Sequence, residues 1–441
     1  MSNFARHPFA TRALATKVLR PNATLTVMVL PLLAFVATPL TSAQTFMFNR
    51  ADFATGTGPA VLAVGDLNGD GHMDVVTGND DTANTVSVLL GKGDGTFATH
   101  VDYPVGGGVT GIAVGDFNGN GKLDIAVVYG FDLARIAVLL GNGDGTFKPF
   151  IPTTAGFQGG SIAVGDFNGD GKLDVAVSDN QSSTPGVDIM LGNGDGTFKA
   201  PVSYATAADP RMVIVADFNG DGKLDLATAN ADSETISVLL GNGDGTFQTH
   251  MDNSTAIAAS CISLAAGALR DDKGKDIVAG CQSEGKVVVL LSNGNGTFKA
   301  AKAYPVPAGV DDVALGDFNG DGKLDVAVTN GGTYDMVSVL PGTGSGTLKA
   351  AVPFGANFGP AGIAAADFNG DGKFDIVTAD DGSPFGVTIA TISVLLSNGK
   401  DNGRRIDAGC RHNLPRWWPN RFVRCSGSRE SIDSLIRRSM C

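Results

Sequence analysis

The sequence predicts an all-β chain folded as a seven-bladed β-propeller of four-stranded antiparallel blades, closed by its own N-terminal strand. Three observations predict it. A nine-residue, aspartate-rich segment recurs at intervals of about fifty residues. Short β-branched runs bounded by Gly, Asn and Asp surround each copy, which is the pattern of strands and turns. Gly accounts for 61 of 441 residues and charged residues for 17%; that composition suits short strands and tight turns and leaves too few Lys and Glu to cover helix surfaces.

The first segment is Asp66-Leu67-Asn68-Gly69-Asp70-Gly71-His72-Met73-Asp74, and near-copies occupy 116–124, 166–174, 217–225, 317–325 and 367–375. Their starts differ by 50, 50, 51, 100 and 50, and the interval of 100 holds one degenerate copy, which makes seven units. Around the third copy, Ser161-Ile162-Ala163-Val164 precedes the loop and Val175-Ala176-Val177 follows it. Later in each unit comes a third apolar run, such as Ile236-Ser237-Val238-Leu239-Leu240, which leads into Gly241-Asn242-Gly243-Asp244-Gly245-Thr246-Phe247. Three runs and the segment after the Phe make four strands per unit, the content of a propeller blade. One blade cannot bury both faces, so the seven are expected to stack around a central axis with Ala, Val and Leu between them. The Gly-rich stretch reads as a hairpin turn, with its Phe packed between blades.

The repeat stops after the third run of the last unit, Ile392 to Leu396, whereas Thr45-Phe46 matches the Thr-Phe that starts a fourth strand elsewhere. The N-terminal strand is therefore expected to complete the last blade, and such closure removes the sheet edges that template aggregation.

Within the loops, positions 1, 3, 5 and 9 carry Asp, Asn, Asp and Asp, and Gly at 4 and 6 lets the backbone curl around a point. Hard oxygen donors at this spacing suit Ca²⁺, which takes six to eight oxygens; the carbonyl at position 7 and water complete the set. The candidate ligands are Asp66, Asn68, Asp70, His72 and Asp74; Asp116, Asn118, Asn120, Lys122 and Asp124; Asp166, Asn168, Asp170, Lys172 and Asp174. They continue with Asp217, Asn219, Asp221, Lys223 and Asp225; Asp317, Asn319, Asp321, Lys323 and Asp325; Asp367, Asn369, Asp371, Lys373 and Asp375. His72 and the five Lys contribute their carbonyls. Turn-forming preference alone would also place Asp, Asn and Gly here, but six copies with carboxylates in fixed spacing, which would repel one another without a cation, favour the metal. About six calcium ions are expected, with affinities on the order of 10⁻⁴–10⁻³ M, the range of extracellular modules. Loop two, with Asn120 at position 5, is expected to be the weaker.

Two other calcium motifs do not fit. An EF-hand requires a bidentate Glu at position 12, where Asp166 is followed by Val177 in a β-branched run. A β-roll needs tandem nine-residue repeats, and Gly-Asn-Gly-Asp-Gly appears once per unit.

At these residues the chain resembles the FG-GAP and VCBS repeat family, best known from the seven-bladed propeller of integrin α-subunits, over about 46–399. The resemblance implies a calcium ion in the Asp-x-Asn-x-Asp-Gly-x-x-Asp loop of each intact blade, between the first two strands. A clear Phe-Gly…Gly-Ala-Pro signature is missing, which places the chain nearer the VCBS branch.

Unit five departs from the pattern. Aligned on Asp276, its loop runs Ala268-Leu269-Arg270-Asp271-Asp272-Lys273-Gly274-Lys275-Asp276, with Ala at position 1 and Arg at 3. This blade is expected to hold no calcium. Cys261 and Cys281 flank its first hairpin at positions that lie opposite each other, so a disulfide is open to them in an oxidising compartment, the alternative being two buried thiols.

Residues 1–43 have basic residues up to Arg20, an apolar run from Leu25 to Val36 broken by Pro31, and Thr41-Ser42-Ala43 as a cleavage site. They read as a signal peptide, so the chain is expected to be secreted or at the cell surface, with no membrane span after cleavage. Residues 400–441 start in mid-motif and hold both Trp, three Cys and nine Arg; they read as a basic tail, disordered or out of frame. Between these ends, 44–400 carries 19 basic against 41 acidic residues, a net of −22, which argues against nucleic acid as a partner. The propeller holds three His and no nucleophile motif, so an enzyme is not expected. The expected role is an extracellular binding or adhesion module, monomeric, for a protein or glycan ligand. A lectin-like propeller and a calcium-dependent polysaccharide lyase are the alternatives.

Overall fold

The computed structural model describes residues 46–397 apart from 80–82, 131–133, 158, 181–183, 258–259, 271–273, 333 and 383–389. Twenty-eight strands form seven four-stranded antiparallel sheets, with no helix among the described residues. After β1 (Phe48–Ala54), blade one is β2 (Pro59–Gly65), β3 (Asp74–Asn79), β4 (Thr85–Leu89) and β5 (Val101–Pro104), paired in that order. Blades two to six repeat the meander with β6 to β25. The seventh is β26 (Pro360–Ala366), β27 (Asp375–Asp380) and β28 (Thr391–Ser397), with β1 added as its outer strand. Phe48 pairs with Ser397 and Ala54 with Thr391, so the predicted closure by the N-terminal strand is found.

Burial follows the position of each strand. The second strand of every blade, such as β3, is buried along its whole length, because strands flank it on both sides and neighbouring blades cover both faces. Its run therefore reads as continuous Val, Ile and Ala rather than alternation. Outer strands such as β5 are mostly exposed. First strands contact the first strands of both neighbours and make the inner ring, where small side chains are needed: a Cβ on Gly111 would meet the Gly160 carbonyl at 2.9 Å, and one on Gly362 the Ala60 carbonyl at 3.0 Å.

Seven apolar clusters each straddle one blade junction. The turn Phe of one blade meets the position-2 Phe of the preceding blade's loop edge-on, Phe97 on Phe368, Phe198 on Phe117, Phe247 on Phe167 and Phe298 on Phe218, with centroids 5.5–6.0 Å apart. Each such pair adds about 0.5–1.5 kcal/mol beyond burial. At the closure Phe48 takes this role, meeting Phe318 edge-on with centroids 6.4 Å apart, and Phe46 is buried in the same cluster. The turn is also bonded to the loop it covers: Gly245 N–H donates to the Phe167 carbonyl at 2.9 Å, and Gly95 to that of Phe368.

Candidate metal sites

The loop between the first two strands and the turn after the third lie at one face of the ring; the connections from second to third strand and from blade to blade lie at the other. In loop one the Asp66 carboxylate accepts the N–H groups of Gly69 (2.8 Å), Asp70 (3.1 Å) and Gly71 (2.9 Å). Asn68 Oδ1 accepts Asp70 N–H and Asp70 Oδ1 accepts His72 N–H, each at 2.9 Å. Gly69 and Gly71 have φ of 74° and 84°, in the left-handed region that side chains avoid, which is why Gly stands at both positions. The same pattern recurs in loops three, four and seven, and in loop six with Asp317 and Asp321. In loop two Asn120 takes the place of the Asp at position 5 and its Oδ1 accepts Lys122 N–H.

Position 9 behaves differently. Asp74 is fully buried; its Oδ2 accepts Leu67 N–H at 2.8 Å and its Oδ1 accepts Gly91 N–H, in the turn after the third strand, at 2.7 Å. The corresponding pair of bonds is made by Asp124, Asp174, Asp225, Asp325 and Asp375. Burial pushes these carboxyls up, Asp325 to about 7 and Asp74 and Asp375 to about 6, although the backbone donors pull the other way.

The carboxylates are therefore shared between loop amides and the blade interior. Among the described residues no three acidic, His or Cys side chains converge as a finished metal cage, where the spacing alone had suggested convergence on one point. The chemistry of the residues nevertheless fits a cation on three counts. The donors are all oxygens, suited to a hard ion. In loop six, Asn319 Oδ1 is buried with no hydrogen-bond donor, and a buried acceptor left so costs about 1–3 kcal/mol. The third count comes from blade five.

There the first strand is β18 (Cys261–Gly267) and the second β19 (Asp276–Cys281). Asp276, at position 9, makes the usual two backbone bonds, from Leu269 at 3.1 Å and Ser292 at 2.8 Å. In addition the Arg270 guanidinium reaches it, Nη2 to Oδ1 at 2.7 Å, and donates to the Ser292 carbonyl at 2.8 Å. The blade whose loop has lost the Asp at position 1 and the Asn at position 3 thus carries a protein cation on its position-9 carboxylate. Among the described residues none of the other six position-9 Asp forms an ion pair. The sequence reading took Arg270 as a lost ligand; the signal available was the Asp retained six residues later. Of the two states open to Cys261 and Cys281, the structure has the disulfide: they face each other in register and are bonded.

At position 7, Lys122, Lys172, Lys223 and Lys323 lie over the turn glycines 143, 194, 243 and 344 of their own blades, as the His72 ring lies over Gly93. Lys122 Nζ donates to the Asn142 carbonyl at 2.5 Å. These side chains point away from the loop and leave only the carbonyl as a donor. The signal segment, residues 1–43, and the tail, 400–441, lie outside the described residues.

A model of the FG-GAP-like repeat matches 66–127, 127–177, 175–228, 217–279, 269–328 and 317–378. No curated protein matches the chain. Among solved structures, an Agrocybe aegerita lectin with specific recognition of non-reducing terminal N-acetylglucosamine is 20% identical, with a TM-score of 0.51 over 80% of this chain and 96% of its own. BBS1N in complex with ARL6DN is 13% identical, with a TM-score of 0.54 over 80% and 96%. The periplasmic gluconolactonase PpgL of Pseudomonas aeruginosa is 16% identical, with a TM-score of 0.54 over 69% and 86%. At these identities the likenesses speak for the fold alone.

Proposed function

The chain belongs to the FG-GAP-like repeat family, and from that premise we propose that it is an exported calcium-binding propeller serving as an extracellular binding or adhesion module, not an enzyme. The observation that carries the calcium reading is the Arg270–Asp276 pair at 2.7 Å: where the donors at positions 1 and 3 are replaced by Ala and Arg, a guanidinium sits on the position-9 carboxylate that all seven blades keep. Positions 1, 3, 5 and 9 and the position-7 carbonyl would hold the ion. Calcium, when bound, supplies the positive charge that lets these carboxylates stay ionised side by side. All its donors come from one nine-residue loop between two strands, so the stabilisation goes to the first hairpin of the blade, and no position is reserved for a substrate.

Export rests on the N-terminal motif. The binding role rests on a rigid ring that presents varied connections on the face away from the loops. The lectin and the lactonase share only the fold with this chain, so neither activity is transferred.

Ligand binding to the folded state alone stabilises by about 2.7 kcal/mol per site at a hundredfold excess over Kd. Metal analysis at saturating calcium should count six ions per chain, and chelation should lower the melting temperature. A count of two or fewer, or a melting temperature indifferent to chelator while a hydrolytic or lyase activity disappears, would refute the reading.

A further inference from the structure

A repeat protein shows which surface residues its fold does not need, because the other blades do without them. In the connection from second to third strand, one residue with positive φ recurs: Asn84, Glu234, Gly285 and Asp335. The residue before it is Ala83 in blade one, Ser233 in blade four and Glu284 in blade five, but Tyr334 in blade six. In the connections between blades, the residue two before the next first strand is Thr57, Gly107, Ala208 and Ala308, but Phe157 after blade two and Phe358 after blade six.

After blade six, Tyr334 and Phe358 stand on connections that are bonded to each other. Asp335 Oδ1 accepts Gly359 N–H at 3.0 Å and its carbonyl accepts Ala356 N–H at 3.1 Å, which ties the two connections together. The Gly359 carbonyl accepts Asp381 N–H at 3.0 Å, and Gly382 packs against Phe358 so closely that a Cβ there would meet the Phe358 Cβ at 2.4 Å. Phe358 is thus held at its backbone and Cβ, yet both aromatic residues stay largely in solvent, Tyr334 47% exposed and Phe358 40%. They lie on the face opposite the metal loops.

We propose that Tyr334 and Phe358 form a stacking site for a neutral glycan at the junction of blades six and seven. Two half-exposed rings offer on the order of 150–250 Å², far below the roughly 800 Å² per partner that a stable protein interface buries, but matched to one or two sugar rings. A pyranose presents an apolar C–H face to the negative face of an aromatic ring, and its hydroxyl edge suits acceptors such as the carboxylates of Asp335 and the exposed Asp381. The net charge of −22 over 44–400 repels acidic polysaccharide and anionic lipid. This site rests on the reading of the propeller as a binding module, and the test separates the two.

Full-length mature protein in saturating calcium is titrated calorimetrically with chitotetraose and cellotetraose, and with polygalacturonate as the acidic probe, after a screen on an array of neutral glycans. At least one neutral glycan is expected to bind, and Phe358→Ala and Tyr334→Ala each to weaken it tenfold or more. Phe374→Ala, on the opposite face, should leave it unchanged. Phe358→Trp should preserve binding and Phe358→Leu lose it, which distinguishes stacking from lost bulk or a misfolded variant. The site is overturned if no neutral glycan on the array binds, if only polygalacturonate or a protein binds, or if the double variant Tyr334→Ala, Phe358→Ala binds within twofold of the parent. Six ions with no sugar bound would sink this site and leave the metal reading intact; sugar binding without any calcium uptake would do the reverse.

Discussion

Replacing Asp380 by Asn should stabilise the protein, and more so at alkaline pH. Blade one shows why. Thr77 Oγ1 donates to Asn79 Oδ1 at 3.0 Å, Asn79 Nδ2 donates to Ser87 Oγ at 2.8 Å, and Ser87 Oγ donates to the Asp102 carboxylate at 2.6 Å. Asn230, Ser237 and Asp252 form the same relay in blade four. In blade seven the amide is replaced by Asp380, and Ser393 Oγ lies 2.6 Å from Asp380 Oδ2 and 2.9 Å from Asp52 Oδ1, on the closing strand β1. One hydroxyl proton cannot serve both carboxylates, so the relay is complete only when Asp380 carries a proton. Burial, with a contribution from the Asp52 charge, raises Asp380 to about 6. Because the folded value lies above the unfolded one, this stabilisation is present below pH 4 and lost as pH rises through 6. The whole effect is about 3 kcal/mol, and about 1.4 kcal/mol of it falls between pH 5 and pH 8. Asp380→Asn supplies the donor at every pH, so its advantage should grow by that amount, or by about 2 °C in melting temperature. Thermal unfolding followed by far-ultraviolet dichroism in saturating calcium at the two pH values measures it. An advantage equal at both pH values, or a loss at pH 8, would refute the relay.

Three further predictions concern blade five. Arg270→Ala leaves the buried Asp276 without its cation and should cost about 3–5 kcal/mol, with the ion count unchanged at six; a gained ion would show that Arg270 was blocking a site, not replacing one. Ala268→Asp should gain no ion while Arg270 remains, as calorimetry would show. Converting Cys261 and Cys281 to Ser removes a link across a separation of 20 residues and should cost about 3 kcal/mol, seen as a lower melting temperature that reducing agent reproduces in the parent.

The fold was legible because the loop is nearly identical in six copies, so the strand pattern around it could be aligned without ambiguity. The closing strand was legible from two residues, Thr45-Phe46, and it does pair with β28, although the ring that meets Phe318 edge-on is Phe48, two positions further on. What one repeat cannot reveal is how side chains from distant segments meet. Asp52 and Ser393 are 341 positions apart and share a hydrogen bond only because the ring closes. Tyr334 and Phe358 lie in different connections, and their spacing in sequence does not show that these connections are bonded to each other. Arg270 was legible as a charge but not as a partner, because its role depends on which carboxylate stays buried.

The position-9 Asp is the part of the site that all seven blades keep, and its backbone bonds explain this independently of any ion. It joins the loop at position 2 to the turn after the third strand in blade five just as in the rest. Losing a position-1 Asp should therefore remove an ion and little else, since its N–H partners face solvent. Losing a position-9 Asp should also strand two buried N–H groups, at about 1–3 kcal/mol each. Asp166→Ala and Asp174→Ala should each lower the ion count from six to five. In excess chelator, where neither variant can differ from the parent through calcium, Asp166→Ala should melt close to the parent and Asp174→Ala well below it. If the two variants melt together in chelator, the carboxylate at position 9 serves the ion alone, and its retention in blade five is left to Arg270.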